Sequence, residues 1–161
     1  MNKRVTALVA LALLTACAAP TLDSKEGMEA LQSGDYQTAL EIWQTLAEQG
    51  DANAQTNLGI MYSKGDGVPQ DDAKAVEWFR KAAEQGYPAA QHSLGFMYAS
   101  GKGVPLDYVN AYAWFALAAT QEHPNSRPSL AFVEEKMSDF EIQSAQKLAQ
   151  EYYDKYVPPA P

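Results

Sequence analysis

Apolar residues recur at helical spacing in the middle of the chain. Ala54, Leu58, Met61 and Tyr62 occupy positions i, i+4, i+7 and i+8, which places them on one face of an α-helix. A second stripe with similar spacing runs from Ala75 to Ala83. The pattern therefore predicts two amphipathic helices that can pack against each other through their apolar faces.

Capping residues and glycines mark where these helices begin and end. Asp51 precedes the first stripe and Asp71 precedes the second; an aspartate at such a position accepts a hydrogen bond from a free N–H of the first turn. Gly65 follows the first stripe, at the place where a left-handed residue commonly ends a helix. The Gly-Val-Pro sequence at 67–69 then predicts a turn that reverses the chain.

The entire two-helix pattern recurs after 36 residues, since 17 of the 34 aligned residues are identical between positions 50–83 and 86–119. The identical residues of the first copy are Gly50, Ala54, Gln55, Leu58, Gly59, Met61, Tyr62, Gly65, Gly67, Val68, Pro69, Asp71, Ala75, Trp78, Phe79, Ala82 and Ala83. A repeat of this length is typical of solenoids, in which each unit buries its apolar face against its neighbours. Trp78 and Trp114 fall on the stripe in both copies, so we expect both in the core. Pro88 suits the first turn of the second copy.

A glycine lies in the middle of the leading helix of both copies. Gly59 and Gly95 occupy equivalent positions, although glycine in a helix interior costs about 1 kcal/mol relative to alanine. A cost that recurs at one position predicts a close crossing with the partner helix, where a Cβ atom has no room.

The two copies share a motif that resembles the Sel1-like repeat. From positions 54 and 90 it reads Ala-x-x-x-Leu-Gly-x-Met-Tyr-x-x-Gly-x-Gly-Val-Pro-x-Asp-x-x-x-Ala-x-x-Trp-Phe-x-x-Ala-Ala. The resemblance implies an all-α fold, an α/α solenoid of tetratricopeptide-like hairpins with a C-terminal capping helix. Ser138 and Glu141 form a capping-box pattern that predicts the start of that last helix, which runs to about Tyr156.

These features divide the chain into seven predicted segments. A signal peptide spans 1–16, a lipidated tether spans 17–24, and a degenerate tetratricopeptide-like repeat spans 25–49. Sel1-like repeats follow at 50–85 and 86–121, capping helices at 122–156, and a proline-rich tail at 157–161.

The first 17 residues have the organisation of a bacterial export signal. Lys3 and Arg4 precede an apolar run of ten residues, Val5–Leu14, which is too short for a permanent membrane span of about 20 residues. The ending Leu-Thr-Ala-Cys at 14–17 resembles the lipobox of bacterial lipoproteins, and the resemblance implies that Cys17 becomes an acylated N-terminus. Ala18 follows instead of aspartate, which resembles cargo for the outer membrane, facing the periplasm. The alternative is an ordinary signal peptide and a soluble periplasmic or secreted protein.

Composition narrows the range of partners. The chain has 12 basic and 20 acidic residues, a net charge of −8, and removal of Lys3 and Arg4 with a signal peptide leaves −10. Such a surface repels phosphate backbones and anionic headgroups. We therefore expect no nucleic acid partner, and membrane contact only through Cys17. This residue is the single cysteine, so an internal disulfide is excluded.

The sequence carries no recognisable catalytic or metal-binding motif. It lacks the zinc-protease helix motif, the nucleophile elbow and the phosphate-binding glycine loop. Asp66 lies in a loop that could be read as a calcium site, but Lys102 takes its place in the second copy. We therefore predict no catalytic residues, no metal and no cofactor.

The tetratricopeptide resemblance implies that the leading helices line a concave face. Alignment with that family predicts Asn53, Thr56, Ile60, His92 and Phe96 as binding residues. Two of them, Ile60 and Phe96, lie off the apolar stripe, and apolar residues in a polar-rimmed groove suit peptide capture. Packing of these two residues against a neighbouring helix is the alternative.

The predicted function is a non-catalytic interaction module or adaptor that binds a periplasmic or envelope protein or peptide. A different class of function is a cell-wall enzyme, or an accessory of one, that binds a β-lactam or peptidoglycan. Cysteine-rich Sel1 relatives linked to β-lactams carry a disulfide in each repeat, whereas the repeats here contain no cysteine. This difference argues against that activity.

Overall fold

The computed structural model describes residues 23–157, which form eight α-helices and no β-strand. The helices are α1 (Ser24–Ser33), α2 (Tyr36–Glu48), α3 (Ala52–Lys64), α4 (Asp72–Glu84), α5 (Pro88–Ser100), α6 (Tyr108–Thr120), α7 (Ser126–Glu134) and α8 (Asp139–Tyr156). None of the described helices combines the length and apolar character that a membrane span requires. The predicted all-α solenoid is confirmed, while the predicted signal peptide and Cys17 lie outside the described residues.

Helices α3 to α6 form the two repeats, each a pair of 13-residue helices. Asp51 and Asp71 cap α3 and α4, and each carboxylate accepts a hydrogen bond from a first-turn N–H, at 2.6 and 3.0 Å. Gly65 ends α3 with a φ of 80°, a conformation that costs glycine little. Pro88 occupies the first turn of α5. The helix boundaries predicted for the repeats are thus confirmed.

The mid-helix glycines let the two helices of a repeat approach closely. A Cβ atom at Gly59 would lie 2.5 Å from the Phe79 ring, and one at Gly95 would lie 2.8 Å from the Phe115 ring. Both distances are too short for a real side chain, so a substitution has to displace the aromatic ring. The close crossing predicted from the recurring glycine is confirmed.

The first hairpin, α1 and α2, is a shorter version of the repeat. Gly34 and Asp35 alone join its helices, whereas seven residues join α3 to α4. Trp43 is fully buried and takes the place that Phe79 has in the next repeat. Its indole lies so close to Gly27 that a Cβ atom there would be 2.5 Å from Trp43 Nε1. The first hairpin therefore uses the same glycine–aromatic crossing.

Three clusters of buried apolar residues hold the hairpins together. Trp114 is 1% exposed, because the rings of Tyr152 and Tyr156 from α8 cover it at centroid distances of 4.6 and 5.5 Å. Trp78 has no such cover and is only partly buried at the edge of its cluster, with Lys81 Nζ 4.0 Å from its ring centroid. The prediction that both tryptophans are core residues is therefore wrong for Trp78.

The C-terminal helices both pack against α6. Ser138 and Glu141 make the two reciprocal hydrogen bonds of a capping box at the start of α8, and the helix ends at Tyr156, as predicted. Helix α7 is shorter than the leading helices of the two repeats, with nine residues. The array thus closes with one short helix and one 18-residue helix that covers the apolar side of α6.

Buried glutamines connect each repeat to the preceding one. Gln55 Nε2 donates to a carbonyl of α2 at 3.1 Å, and Gln91 Nε2 donates to a carbonyl of α4 at 3.2 Å. Their Oε1 atoms accept hydrogen bonds from Gln85 and Gln121, at 2.8 and 3.0 Å. Burial of an amide is tolerated because its donor and acceptor are both satisfied. These hydrogen bonds fix how neighbouring hairpins sit on each other.

Candidate binding groove

Three helices, α3, α5 and α7, present equivalent apolar residues to solvent. The residues are Ile60, Phe96 and Phe132, and each follows the previous one by 36 residues. We call them the apolar row. Phe96 and Phe132 are each 51% exposed, whereas Ile60 is partly exposed and also packs against the core. Large apolar side chains that line up at the surface of a folded chain mark a site where a partner can remove them from water.

Two cavities open between the members of the apolar row. A cavity of about 120 Å³ lies between α3 and α5 and is bounded by Ile60, Phe79 and Phe96. A larger cavity of about 420 Å³ lies between α5 and α7 and is bounded by Phe96, Phe115 and Phe132. Phe96 borders both cavities, so one side chain separates them. We refer to the row and its two cavities together as the groove.

The close helix crossings fix the floor of the groove. Phe79 and Phe115 are the rings that pack on Gly59 and Gly95, and they are 3% and 2% exposed. Interiors packed to this density hold a side chain in one position. The glycines that set the geometry of each repeat therefore also set the depth of each cavity.

The groove has little charge, although the protein is acidic. Helices α3 and α5 contain no aspartate or glutamate, whereas the chain has 20 acidic residues. Lys64 borders the smaller cavity, and Lys136 Nζ lies 5.4 Å from the centroid of the Phe132 ring. Among the described residues that line the two cavities, Lys64 is the one charged side chain, so the lining favours an apolar segment.

The structure buries one of the five predicted binding residues. Thr56 is 5% exposed, and its hydroxyl donates to the Ala52 carbonyl one turn earlier. Its side chain is too short to reach a partner, which corrects its predicted place in the binding set. Asn53 is exposed, and its side-chain amide donates to the Tyr87 hydroxyl at 2.9 Å.

His92 packs between α5 and α7, beside the residues that line the larger cavity. It is half-buried, and its Nε2 lies 3.1 Å from the Ser129 Oγ of α7. Its ring stacks on that of His123 at a centroid distance of 4.7 Å and lies 5.2 Å from the ring of Phe115. Burial lowers the pKa of His92, and the neighbouring His123 lowers it further. His92 thus supports the larger cavity from the side.

Sequence reasoning missed Phe132 and the role of the two floor residues. Phe132 follows Phe96 by one repeat length, which is the signal that could have found it. Helix α7 shares little else with α5, however, so the repeat pattern is not recognisable in the sequence beyond residue 119. Phe79 and Phe115 occupy stripe positions typical of core residues, but no sequence pattern shows that a core ring also forms the floor of a cavity.

The groove offers apolar surface rather than reactive groups. Within residues 23–157, no group of three or more His, Cys, Asp or Glu side chains is placed to hold a metal ion. Burial of apolar side chains can drive association without chemistry. The arrangement is therefore suited to holding a segment of another molecule.

The fold and the groove define an α/α solenoid of short helical repeats. The Sel1 repeat family model matches residues 27–51, 52–87 and 88–123, which together are more than half of the chain. The chain belongs to the Sel1 repeat family. Proteins with these repeats are generally protein-interaction modules, and the fold is typically a non-catalytic scaffold.

Two solved structures with the same fold come from bacteria. A protective antigen present in uropathogenic Escherichia coli strains, which displays the SLR fold, is 35% identical over 84% of this chain, with a TM-score of 0.80. A Sel1 repeat protein from Oxalobacter formigenes is 31% identical over 81% of this chain, with a TM-score of 0.66. The matches cover 30% and 56% of those two chains.

Among curated proteins, the DAP3-binding cell death enhancer 1 of Rattus norvegicus is 40% identical over 50 residues, and that of Mus musculus is 38% identical over 50 residues. Each match covers 31% of this chain and 10% of the mammalian protein. The likeness to these two proteins is therefore confined to a short segment.

Proposed function

We propose that the protein is a non-catalytic adaptor, anchored in a bacterial envelope, that binds an apolar segment of an envelope protein in the groove. The observation that carries the proposal is Phe96, a half-exposed aromatic ring that stands between two cavities. A partner that places one apolar side chain in each cavity buries both sides of this ring.

The energetics of such an interface concentrate on a few residues. Apolar surface removed from water contributes about 25 cal/mol per Å², and central aromatic anchors commonly account for 2 kcal/mol or more each. Ile60 and Phe132 flank Phe96 at one repeat length on either side, so they extend the same apolar surface. The polar Asn53 lies in the first turn of α3, and we expect it to orient the bound segment rather than to increase its affinity.

The groove proposal predicts that Phe96→Ala weakens binding of the natural partner at least about thirtyfold, since 1.4 kcal/mol corresponds to one decade. The partner is first identified by a photo-crosslinking amino acid at position 96 in living cells. The affinity of the purified partner is then measured by calorimetry for the wild type and the variant. Helicity of the variant is expected to be unchanged, because Phe96 is half-exposed.

Phe140 provides the matched control for this experiment. It is an aromatic residue that is 77% exposed at the start of α8, away from the residues that line the groove. Phe140→Ala should bind as the wild type does, and a crosslinker at 140 should not capture the same partner. Equal loss of affinity in both variants, or no loss in Phe96→Ala, would show that the partner binds elsewhere.

The anchoring part of the proposal predicts the outcome of Cys17→Ser. Removal of the thiol should abolish lipid labelling and leave an unprocessed precursor, because the thiol is the expected acylation site. Two or more acyl chains are needed for stable membrane attachment. Metabolic labelling with a fatty acid and the mobility of the protein on a gel test both effects. A variant that is still cleaved and released as a soluble protein would support an ordinary signal peptide instead.

A further inference from the structure

The only two histidines of the chain meet at the junction that positions α7. His92 lies on α5, and His123 lies in the connection between α6 and α7. Their rings stack at a centroid distance of 4.7 Å with an interplanar angle of 25°. Neither histidine belongs to the apolar row. The pair nevertheless lies next to the larger cavity, because Ser129, the partner of His92, lines that cavity.

Both imidazoles hydrogen-bond to serines in the first turn of α7. His92 Nε2 lies 3.1 Å from Ser129 Oγ, and His123 Nδ1 lies 3.2 Å from Ser126 Oγ. The Ser129 hydroxyl donates its hydrogen to the Asn125 carbonyl at 2.9 Å, so towards His92 it can only accept. His92 Nε2 therefore carries the hydrogen. Ser126 is fully buried, whereas Ser129 is partly exposed and lines the larger cavity, so the pair joins α7 both in the interior and at the edge of the groove.

Few charged groups lie near the pair that could neutralise the charge if both imidazoles were protonated. Helix α6 contributes the ionisable Tyr108 and Tyr112, the connection contributes Glu122, and the first turn of α7 contributes Arg127. Glu122 and Arg127 are both exposed, so solvent screens them. In the described part of the chain, no carboxylate hydrogen-bonds to either imidazole. Two imidazolium rings in stacking contact would repel each other, and the backbone hydrogen bond of His92 to Asn125 compensates this only in part, since the pKa of His92 remains below its ordinary value.

We propose that His92 and His123 form a pH-sensitive latch, which keeps α7 docked while both rings are neutral and releases it when they are protonated. Release of α7 removes Phe132 and Ser129 from the larger cavity, both of which line it. The latch rests on the proposed function, because it regulates the same groove. The smaller cavity between α3 and α5 contains no residue of α7 and stays intact.

The direction of the pH response follows from the pKa shifts of the pair. Burial lowers the pKa of both histidines below the ordinary value of 6.5, and His123 lowers that of His92 further. A released α7 exposes both rings to water, and the released state therefore takes up protons first as the pH falls. Docking is at full strength above about pH 6.5, and it weakens as the pH falls from there towards the lowered pKa values.

Hydrogen exchange on the full chain tests the latch without a partner. We expect the α7 amides (126–134) to exchange at least about tenfold faster at pH 5.0 than at pH 7.5 after correction for the intrinsic rates, while the α3 amides (52–64) change less than about twofold. A variant with both His92→Gln and His123→Gln keeps side-chain N–H donors but cannot titrate. Its α7 amides should exchange equally at both pH values.

Two results would overturn the latch. One is an α7 exchange rate in the wild type that does not respond to pH, and the other is an unchanged response in the double variant. If the double variant does not fold, NMR titration of the two imidazoles in the wild type decides, because a pKa at or above the ordinary value for either ring contradicts the latch. The two proposals can fail separately. If α7 exchange does not respond to pH but Phe96→Ala weakens partner binding, the latch is wrong and the groove proposal stands. If α7 exchange responds to pH but Phe96→Ala binds as the wild type does, the groove proposal is wrong and the latch stands.

Discussion

Trp114→Ala is expected to lower the free energy of unfolding by about 3–5 kcal/mol, the usual cost of emptying a buried aromatic site. Trp114 is 1% exposed and packs under Tyr152 and Tyr156 of α8. Its removal leaves a cavity and also uncovers the contact between α6 and α8. Chemical denaturation followed by circular dichroism measures the change, and the loss of α8 docking should appear as a lower m-value or an earlier partial transition.

Two further substitutions sharpen this test. Within residues 23–157, the buried Nε1 atom of Trp114 has no hydrogen-bond partner, so Trp114→Phe removes an unsatisfied donor and should cost less than about 1.5 kcal/mol. Trp78→Ala should cost clearly less than Trp114→Ala, because Trp78 is partly exposed. Equal losses at positions 78 and 114 would contradict the argument that the cover from α8 adds to the stabilisation by Trp114.

Gly59→Val is the second substitution with a large expected effect, a destabilisation of about 3 kcal/mol. A Cβ atom at this position would lie 2.5 Å from the Phe79 ring, and valine adds two more methyl groups to the overlap. Gly59→Ala is the more diagnostic change, because alanine in a helix interior normally gains about 1 kcal/mol over glycine. Here we expect alanine to destabilise, since overpacking costs about 1–3 kcal/mol.

Ala73→Val is the matched control for the valine substitution. Ala73 is exposed on α4, so only the lower helix propensity of valine acts there, at about 0.5 kcal/mol. Thermal unfolding of the three variants separates the cost of overpacking at the helix crossing from the effect of helix propensity. A stabilising Gly59→Ala would contradict the argument that the glycine is needed for the helix crossing.

The repeats and their helix ends could be predicted because each depends on local signals. Asp51, Gly65 and Pro88 act on backbone groups within one turn of themselves, so the sequence around each residue is sufficient. Gly59 also indicated tertiary structure, because a glycine that recurs at the same helix position predicts a close contact with another helix. The helix ends are thus predictable from a single copy of the repeat, and the close crossing is predictable from the comparison of the two copies.

The groove was only partly predictable, because its shape depends on how hairpins stack. Ile60 and Phe96 were identified by their place off the apolar stripe, but Phe132 lies on a helix whose sequence has lost the repeat pattern. Thr56 shows the opposite error, since its position in the repeat suggested exposure and its short, back-bonded side chain is buried. Trp114 is buried under Tyr152 and Tyr156 of α8, whereas Trp78 stays partly exposed at the edge of another cluster. Such effects of distant segments leave no local signature.

The glutamine hydrogen bonds between hairpins imply that the array can grow by duplication. Each repeat brings the amide that donates to the preceding hairpin and, in Gln85 or Gln121, the amide that donates to its own buried glutamine. A copied unit of 36 residues inserted after residue 87 therefore arrives with every hydrogen bond that both of its junctions need. It would also add one more apolar side chain at the position of Ile60 and Phe96, so under the proposed function the length of the bound segment would depend on the number of repeats rather than on changes to an existing surface.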